Sequence, residues 1–269
     1  MKKYAMILVA ISMSFVSCEK WLDLQQEGEI TASQLYGKGE GYRTALNGLY
    51  QAMGRPDLYG RELSFGLVDC MSQQYDLSNK DIFTTTHYIK ASKFEYDDVS
   101  LVDYIDNIWT VAFKMIANAN DLIQHIEQTD AHLFEKGEME KKMIMGEAYA
   151  CRALMHFDML RLFGPLTSEL DKESIPYQTN SDQTVTPLLS GSEVVGLILD
   201  DLKNAVGLLK DTDPYFVEEE FSDTDLNYRR FRMNYFAAKG LMARVQLWGG
   251  DKEKAAATAK EVIAEGQAE

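Results

Sequence analysis

Apolar residues recur at three- and four-residue spacing along most of this 269-residue chain, and that period predicts amphipathic α-helices. Between the stripes, apolar and polar residues do not alternate in the way that a half-buried strand requires. The pattern therefore predicts an all-α or nearly all-α fold. Six segments carry it, at residues 42–53, 105–126, 139–160, 194–209, 235–248 and 252–265.

Residues at the ends of these segments have the roles expected of helix boundaries. Ser190 and Glu193 have the spacing of a capping box, so a helix is predicted to begin there. Gly249 and Gly250 are expected to end one helix, and Asp251 is expected to cap the next. The last two segments are thus predicted to form a helical hairpin.

Small residues recur where antiparallel helices would have to approach closely. Gly146 and Ala153 precede Phe157 on one predicted helix, and Ala238 and Ala243 lie on another. This arrangement is similar to tetratricopeptide packing, although a clean 34-residue period is absent. We expect divergent tetratricopeptide-like helical repeats that are interrupted by loops.

Two long stretches, residues 58–100 and 167–186, have little periodicity and are predicted to be irregular. The first contains many aromatic residues, which a disordered linker would lack. Irregular stretches of this length in a compact domain are usually functional surfaces. We therefore expect the first stretch to fold onto the helices and to contain the functional site.

The overall composition is acidic, with 42 Asp and Glu against 27 Lys and Arg and a formal net charge of −15. Nucleic-acid binding needs a basic surface, so this balance excludes it as a leading function. Adjacent carboxylates on a helix, such as Asp200 and Asp201, point in different directions. They are predicted to form a solvated acidic face rather than a catalytic pair.

The first residues have the order of a bacterial export signal. Lys2 and Lys3 precede an apolar run from Ala5 to Val16, which is too short to span a bilayer comfortably. The run ends at Phe15-Val-Ser-Cys18, which resembles a lipobox. We predict a signal peptide at residues 1–17, acylation of Cys18, a lipidated arm at residues 18–32 and a helical domain at residues 33–269. A retained transmembrane helix is the alternative.

Sequence patterns for metal binding and catalysis are weak. The run from Asp223 begins like a calcium loop, but Tyr228 and Asn234 replace the required glycine and glutamate.

The two remaining cysteines, Cys70 and Cys151, lack metal-ligand spacing. They could form a disulfide, but Cys151 is expected to be a buried residue in a helix. No hydrolase, zincin or phosphate-loop motif is present. We expect no metal, no cofactor and no enzymatic activity.

Five segments together resemble the SusD/RagB-like family of Bacteroidetes outer-membrane lipoproteins. They occur in the family's order along nearly the whole chain. These are Cys18-Glu-Lys-Trp-Leu-Asp23 with the lipobox, Ala45-Leu-Asn-Gly-Leu-Tyr50, the run from Ile108 to Asn120, the run from Gly146 to Gly164, and the run from Ala238 to Trp248.

The resemblance implies a surface-exposed lipoprotein of the outer membrane that binds a nutrient, most often a glycan. Such proteins cover a SusC-like TonB-dependent transporter and deliver the ligand to it. Family members continue well beyond the position of Glu269, so the resemblance also implies that the carboxy-terminal portion is missing here.

A glycan-binding surface needs flat aromatic faces beside groups that bond hydroxyls. In the family, ligand-contacting aromatic residues come in part from the segment that precedes the helix of Trp109. We therefore predict Tyr75, Phe83 and Tyr88 as ligand-binding residues. Four polar neighbours could bond the hydroxyls, namely Gln73, Asn79, Asp81 and His87. The alternative for each ring is that it packs the segment onto the helices.

Two other functions stay open from the sequence. A helical-repeat scaffold lipoprotein would hold another protein without binding a small ligand. A hydrolase would need catalytic residues in a part of the sequence that is not present here.

Overall fold

The structure is a computed structural model, and it describes residues 31–77, 85–182, 184–210, 212–213 and 228–266. The chain divides into two units, residues 1–35 and 36–269. In the first unit the described residues form one short helix, α1, Ala32–Leu35. The predicted signal peptide, Cys18 and nearly all of the arm lie outside the described residues.

The second unit is built from helices with one small sheet, which confirms the predicted fold class. In chain order the described elements are α2 (Gly39–Met53), α3 (Leu67–Met71), α4 (Thr86–Ser92), α5 (Val99–Gln128), α6 (Glu138–Phe163), β1 (Glu173–Pro176), β2 (Leu188–Ser190), α7 (Gly191–Leu209), α8 (Tyr235–Trp248) and α9 (Lys252–Gly266), with 3₁₀ turns at Ala131–Leu133 and Arg229–Phe231.

Helix α6 lies at the centre of this unit. It packs against α2, α5, α7 and α8, and its second half is buried on almost every side. A helix that neighbours surround must bury polar as well as apolar positions. The apolar core continues from it into α5 and α7, through Ile116, Leu122, Ile198 and Leu202.

The close helix contacts that the small residues predicted are present. A Cβ added at Gly146 of α6 would lie 2.7 Å from Leu209 Cγ of α7, so only glycine allows this approach. Ala150, Ala205 and Ala238 belong to one buried cluster that joins α6, α7 and α8. These contacts support the tetratricopeptide-like packing of antiparallel helices.

The predicted helix boundaries are also confirmed. Ser190 and Glu193 form a complete capping box at the start of α7. Helix α8 ends at Gly249, Gly250 takes a φ of 92°, and the Asp251 carboxylate accepts a 3.0 Å bond from the Lys254 amide. Helices α8 and α9 therefore form the expected hairpin.

The two stretches predicted to be irregular contain short elements. Helices α3 and α4 lie in the first, and they are too short for a periodic signal to identify them. The second contains β1, which pairs antiparallel with β2 just beyond that stretch, with Glu173 opposite Ser190 and Pro176 opposite Leu188. This sheet packs against α6 and α7, so it is an attachment to the helical core.

A buried ion pair links α6 to α7. The Arg152 guanidinium donates to both oxygens of Asp201, at 2.7 and 2.6 Å, and to Asn120 of α5 at 2.8 Å. The Tyr177 hydroxyl donates to the same carboxylate. The prediction of a solvated face is therefore wrong for Asp201, whereas its neighbour Asp200 is exposed and pairs with Lys203.

A second buried carboxylate, Glu147 of α6, joins three parts of the chain. It accepts hydrogen bonds from Tyr50 of α2 and from Arg229, and a 2.9 Å bond from Arg232. Burial raises the pKa of Glu147, but the two guanidinium groups outweigh it and lower that pKa overall. The ionised carboxylate therefore fixes the 3₁₀ turn before α8 onto α2 and α6.

Both described cysteines, Cys70 and Cys151, are free and buried, and burial raises the pKa of each thiol. Cys151 thus occupies the buried helix position that the sequence predicted. Among the residues that the structure describes, no helix combines the length and the apolar character needed to cross a membrane.

Candidate functional site

The candidate site is built on the tight turns that follow α2. Gly60 makes them possible, because a Cβ there would lie 2.3 Å from the carbonyl oxygen of Gly54. Backbone amides in these turns donate hydrogen bonds to carbonyl oxygens of earlier residues. The amide of Tyr59, for example, donates to the carbonyl of Met53 at 3.0 Å. This compact turn places Glu62 in the interior.

Glu62 organises the start of the site although it lies in a stretch with no helical period. Its buried carboxylate accepts a 3.1 Å bond from the Leu67 amide at the start of α3. Arg61 donates to it at 2.6 Å and the Tyr88 hydroxyl at 3.2 Å. Burial and this carboxylate raise the pKa of Tyr88 to about 12, so the hydroxyl remains a donor.

Helices α3 and α4 end in the same unusual way. Gln73 and Phe94 follow the two helices with φ values of 60° and 58°, a left-handed conformation that normally favours glycine. Each end also has the paired backbone bonds of a Schellman motif; Phe94 donates to Ala91 at 3.0 Å and Glu95 donates to Lys90 at 3.1 Å. A bulky residue in this conformation is strained and points to a functional constraint.

These helix ends present aromatic rings to solvent. The rings of Phe94 and Tyr96 are 54% and 47% exposed and meet edge to face, with centroids 6.2 Å apart. Tyr75 is 39% exposed and donates its hydroxyl to the carbonyl of Phe65, itself an exposed ring, at 2.8 Å. We call Phe65, Tyr75, Phe94 and Tyr96 the aromatic surface.

A cleft of about 360 Å³ lies beside this surface, and Tyr96 forms part of its wall. Leu67 and Met71 of α3 line one side, and Ile105 of α5 and Phe163 of α6 line the other. An apolar cleft bordered by exposed rings can receive the apolar face of a ligand while its polar edge stays in water.

The structure separates the three predicted ligand-binding residues. Tyr75 is exposed on the aromatic surface, and Tyr88 is half-buried with its hydroxyl on Glu62. Phe83 lies outside the described residues. All three remain predictions, and for Tyr88 the Glu62 contact agrees with the alternative of packing.

The polar neighbours that were expected to bond a ligand have structural roles where they are described. Gln73 donates to the carbonyl of Ser92 at 2.7 Å. His87 is buried and stacks on Tyr104 at 3.6 Å, and burial lowers its pKa. Asn79 and Asp81 lie outside the described residues.

Sequence reasoning missed Phe94 and Tyr96 as exposed rings. They belong to the aromatic-rich stretch, but spacing alone does not tell a packed ring from an exposed one. The usable signal was their position directly before α5, the helix of Trp109. Trp109 itself is half-buried and packs on Phe113 at 4.3 Å and on Phe163 at 5.0 Å.

Metal chemistry finds no support in the described ranges, where no cluster of three or more His, Cys, Asp or Glu side chains could hold an ion. The calcium-like run that begins at Asp223 lies outside the described residues up to Asn227. The described residues of the site provide rings, hydroxyls and an apolar cleft, an arrangement that suits binding.

A protein-family model described as SusD-like, starch-binding associating with outer membrane, matches residues 67–247, more than half of the chain. The chain belongs to this SusD-like family. The matched residues include Tyr75, Phe94 and Tyr96, so most of the aromatic surface lies within the family region. SusD-like proteins are binding proteins rather than enzymes and are associated with the outer membrane.

Curated relatives carry the same family name. SusD-like protein P2 of Formosa agariphila is 25% identical over 268 residues, covering 98% of this chain and 46% of that protein. A SusD-like protein of Bacteroides ovatus is 25% identical over 249 residues, covering 92% of this chain and 39% of that protein. The chain therefore spans less than half the length of these SusD-like relatives.

Solved structures of the SusD superfamily share the fold. One from Bacteroides vulgatus has a TM-score of 0.64 at 22% identity, covering 86% of this chain and 48% of that chain. A laminarin binding SusD-like protein has a TM-score of 0.59 at 19% identity, covering 84% and 43% of the two chains. These similarities confirm the helical, tetratricopeptide-like fold.

Proposed function

We propose that this SusD-like protein captures glycans on the aromatic surface without chemically changing them. The observation that carries the proposal is a pair of exposed rings that meet edge to face, Phe94 at a strained backbone position and Tyr96 in the wall of the apolar cleft. An exposed ring at a strained position is costly to keep, which favours a role in binding.

The chemistry of sugars fits this surface. A pyranose ring has an apolar face that stacks on an aromatic ring, and its hydroxyls bond nearby polar groups. Tyr75 is exposed on the same surface and would extend the contact along an oligosaccharide, and Phe83 remains a predicted ligand-binding residue. The name of the laminarin binding relative supports a glycan as the ligand class.

In the cell, we propose a lipid-anchored position at the outer membrane, facing the exterior. The signal peptide at residues 1–17 would direct export, acyl chains on Cys18 would hold the protein, and residues 18–32 would link the anchor to the helical domain at residues 33–269. More than one acyl chain gives stable attachment. The partner is a SusC-like TonB-dependent transporter, which receives the glycan.

The binding test is isothermal titration calorimetry with laminarin and starch oligosaccharides. Phe94→Ala, Tyr96→Ala and Tyr75→Ala should each weaken binding by about fivefold, since one stacked ring contributes roughly 1 kcal/mol. Phe231→Ala is the matched control, because Phe231 is an exposed ring outside the aromatic surface. Binding unaffected by the three variants would contradict the proposed surface, and release of shorter products would contradict a non-catalytic role.

The cellular test uses labelled palmitate and affinity purification. Label should enter the protein and be lost in Cys18→Ala, and a TonB-dependent transporter should copurify with the anchored form. A protein partner without any glycan binding would favour the scaffold alternative instead.

A further inference from the structure

A second groove lies between α2 and α5 and shares no residue with the aromatic surface or its cleft. Its volume is about 540 Å³, and it is lined from residue 48 to residue 55 on one side and from residue 110 to residue 118 on the other. The two helices pack against each other below it, and the buried Met115 forms part of its floor. The groove is therefore fixed by the helical core.

The lining of this groove is basic and polar in an otherwise acidic protein. Arg55 of the turn after α2 and Lys114 of α5 are both exposed cations, and Gln51 and Asn118 add an amide on each side. No Asp or Glu is among the described residues that line it. In a protein with 42 acidic residues against 27 basic ones, the lining thus carries a net positive charge, and Asp57, the partner of Arg55, lies outside it.

The two cations make few ion pairs within the described part of the protein. Lys114 has no carboxylate partner among the described contacts, and Arg55 holds Asp57 at 3.4 Å through Nε and 3.2 Å through Nη2. This is a long pair on an exposed side chain, so it contributes little and exchanges readily with a ligand. Because both cations line the same groove, an acidic ligand bound in it would be attracted by both.

We propose that this groove binds an acidic oligosaccharide through a carboxylate or sulfate group. The two cations would hold the anion, Gln51 and Asn118 would bond sugar hydroxyls, and the Met115 floor would contact the apolar face of the ring. The proposal extends the proposed glycan-binding function to charged glycans, and it rests on that function for the ligand class. It places the charged ligand at a site other than the aromatic surface.

The test is calorimetric titration of the purified protein with three probes: an oligogalacturonate, a chondroitin sulfate oligosaccharide and a neutral laminarin oligosaccharide. Lys114→Gln and Arg55→Gln should each weaken binding of an acidic probe by about tenfold while laminarin binding stays unchanged. Lys260→Gln is the charge-matched control, since Lys260 is exposed on α9 and lies outside the groove. Affinity for the acidic probe should also fall as NaCl is raised.

A gain of binding gives an independent check. Asp57→Asn should release Arg55 and tighten binding of the acidic probe by roughly two- to fivefold. Equal affinities for Lys114→Gln and Lys260→Gln would overturn the proposal, as would full displacement of the probe by millimolar sodium sulfate, which would mark a site for any free anion.

The outcomes also separate this proposal from the proposed function. If laminarin binds through the aromatic surface and neither acidic probe binds, the groove proposal alone is wrong. If an acidic probe binds through Lys114 and laminarin does not bind, the aromatic surface is wrong and the groove stands. If no probe binds, both are wrong.

Discussion

The side chain of Gln73 bonds the end of a helix to which it does not belong. Gln73 follows α3, and its Nε2 donates a 2.7 Å hydrogen bond to the carbonyl oxygen of Ser92, the last residue of α4. A carbonyl at a helix end lacks an intrahelical partner, so this bond satisfies it. Phe94 comes two residues later, and the bond therefore connects α3 to the exposed ring.

Replacing Gln73 should loosen the aromatic surface. We expect Gln73→Ala to lower the free energy of unfolding by about 1 kcal/mol, the net value of one hydrogen bond, as measured by urea denaturation. Glycan affinity should fall as well, because Phe94 loses its fixed position. The neighbouring Gln74→Ala is the control, since the one side-chain bond described for it is local, from its amide to the Ser72 carbonyl at 3.3 Å. An equal effect of both variants would contradict a linking role for Gln73.

Because Phe94 has a positive φ, we expect glycine and alanine substitutions at this position to differ in stability. Both variants remove the ring, so both should weaken glycan binding. Alanine keeps the left-handed strain and glycine relieves it, so Phe94→Gly should be more stable than Phe94→Ala by about 1 kcal/mol. Thermal or urea unfolding of the two proteins measures the difference. If alanine is as stable as glycine, the backbone at this position does not need a positive φ.

Local signals in the sequence were sufficient for the helical core. The capping box of Ser190 and Glu193 depends only on near neighbours, and the small residue Gly146 stands out at its position in the helical period although its contact, Leu209, lies on another helix. Each of these features acts over one helix turn or at one close approach, and a single sequence contains that information.

The candidate site depends on contacts that no spacing reveals. Tyr88 remains a predicted ligand-binding residue, and no spacing reveals that its hydroxyl donates to Glu62, 26 positions earlier. Asp201 was predicted to be solvated, but Arg152 lies 49 positions away and pairs with it in the interior. Long-range pairing decides the burial of a polar side chain, so exposure of a residue in the irregular stretches could not be predicted.

Replacing Arg152 alone in the buried Arg152–Asp201 pair should lower the free energy of unfolding more than replacing both residues. Arg152→Met leaves the Asp201 carboxylate buried without its cation, and we expect a loss of about 3–5 kcal/mol of unfolding free energy. The double variant Arg152→Met with Asp201→Asn keeps an acceptor for Tyr177 and removes the charge. It should be more stable than the single variant, as measured by urea denaturation, and a strictly additive loss would contradict this coupling.

We expect the buried His156 to make the stability of the protein depend on pH. The hydrogen bonds of its ring determine its protonation state. Its Nε2 accepts a 3.1 Å bond from the amide of Gln178, and its Nδ1 lies 3.1 Å from the carbonyl of Arg152. The ring is therefore neutral, with the proton on Nδ1. Burial, together with the nearby Arg152 cation, lowers the pKa of His156 to about 3.

The direction of the effect follows from the two pKa values of His156. Unfolded His156 binds a proton below about pH 6.5, and folded His156 does so only near pH 3. Between these values the unfolded state holds more protons, so stability falls as pH falls, by about 1.4 kcal/mol for each pH unit. The protein should thus lose about 2 kcal/mol between pH 7 and pH 5 through this group. Urea denaturation of the protein and of His156→Gln at both pH values measures it. The variant should show a smaller loss between the two, even if it is less stable at pH 7, and identical losses would contradict the buried neutral histidine.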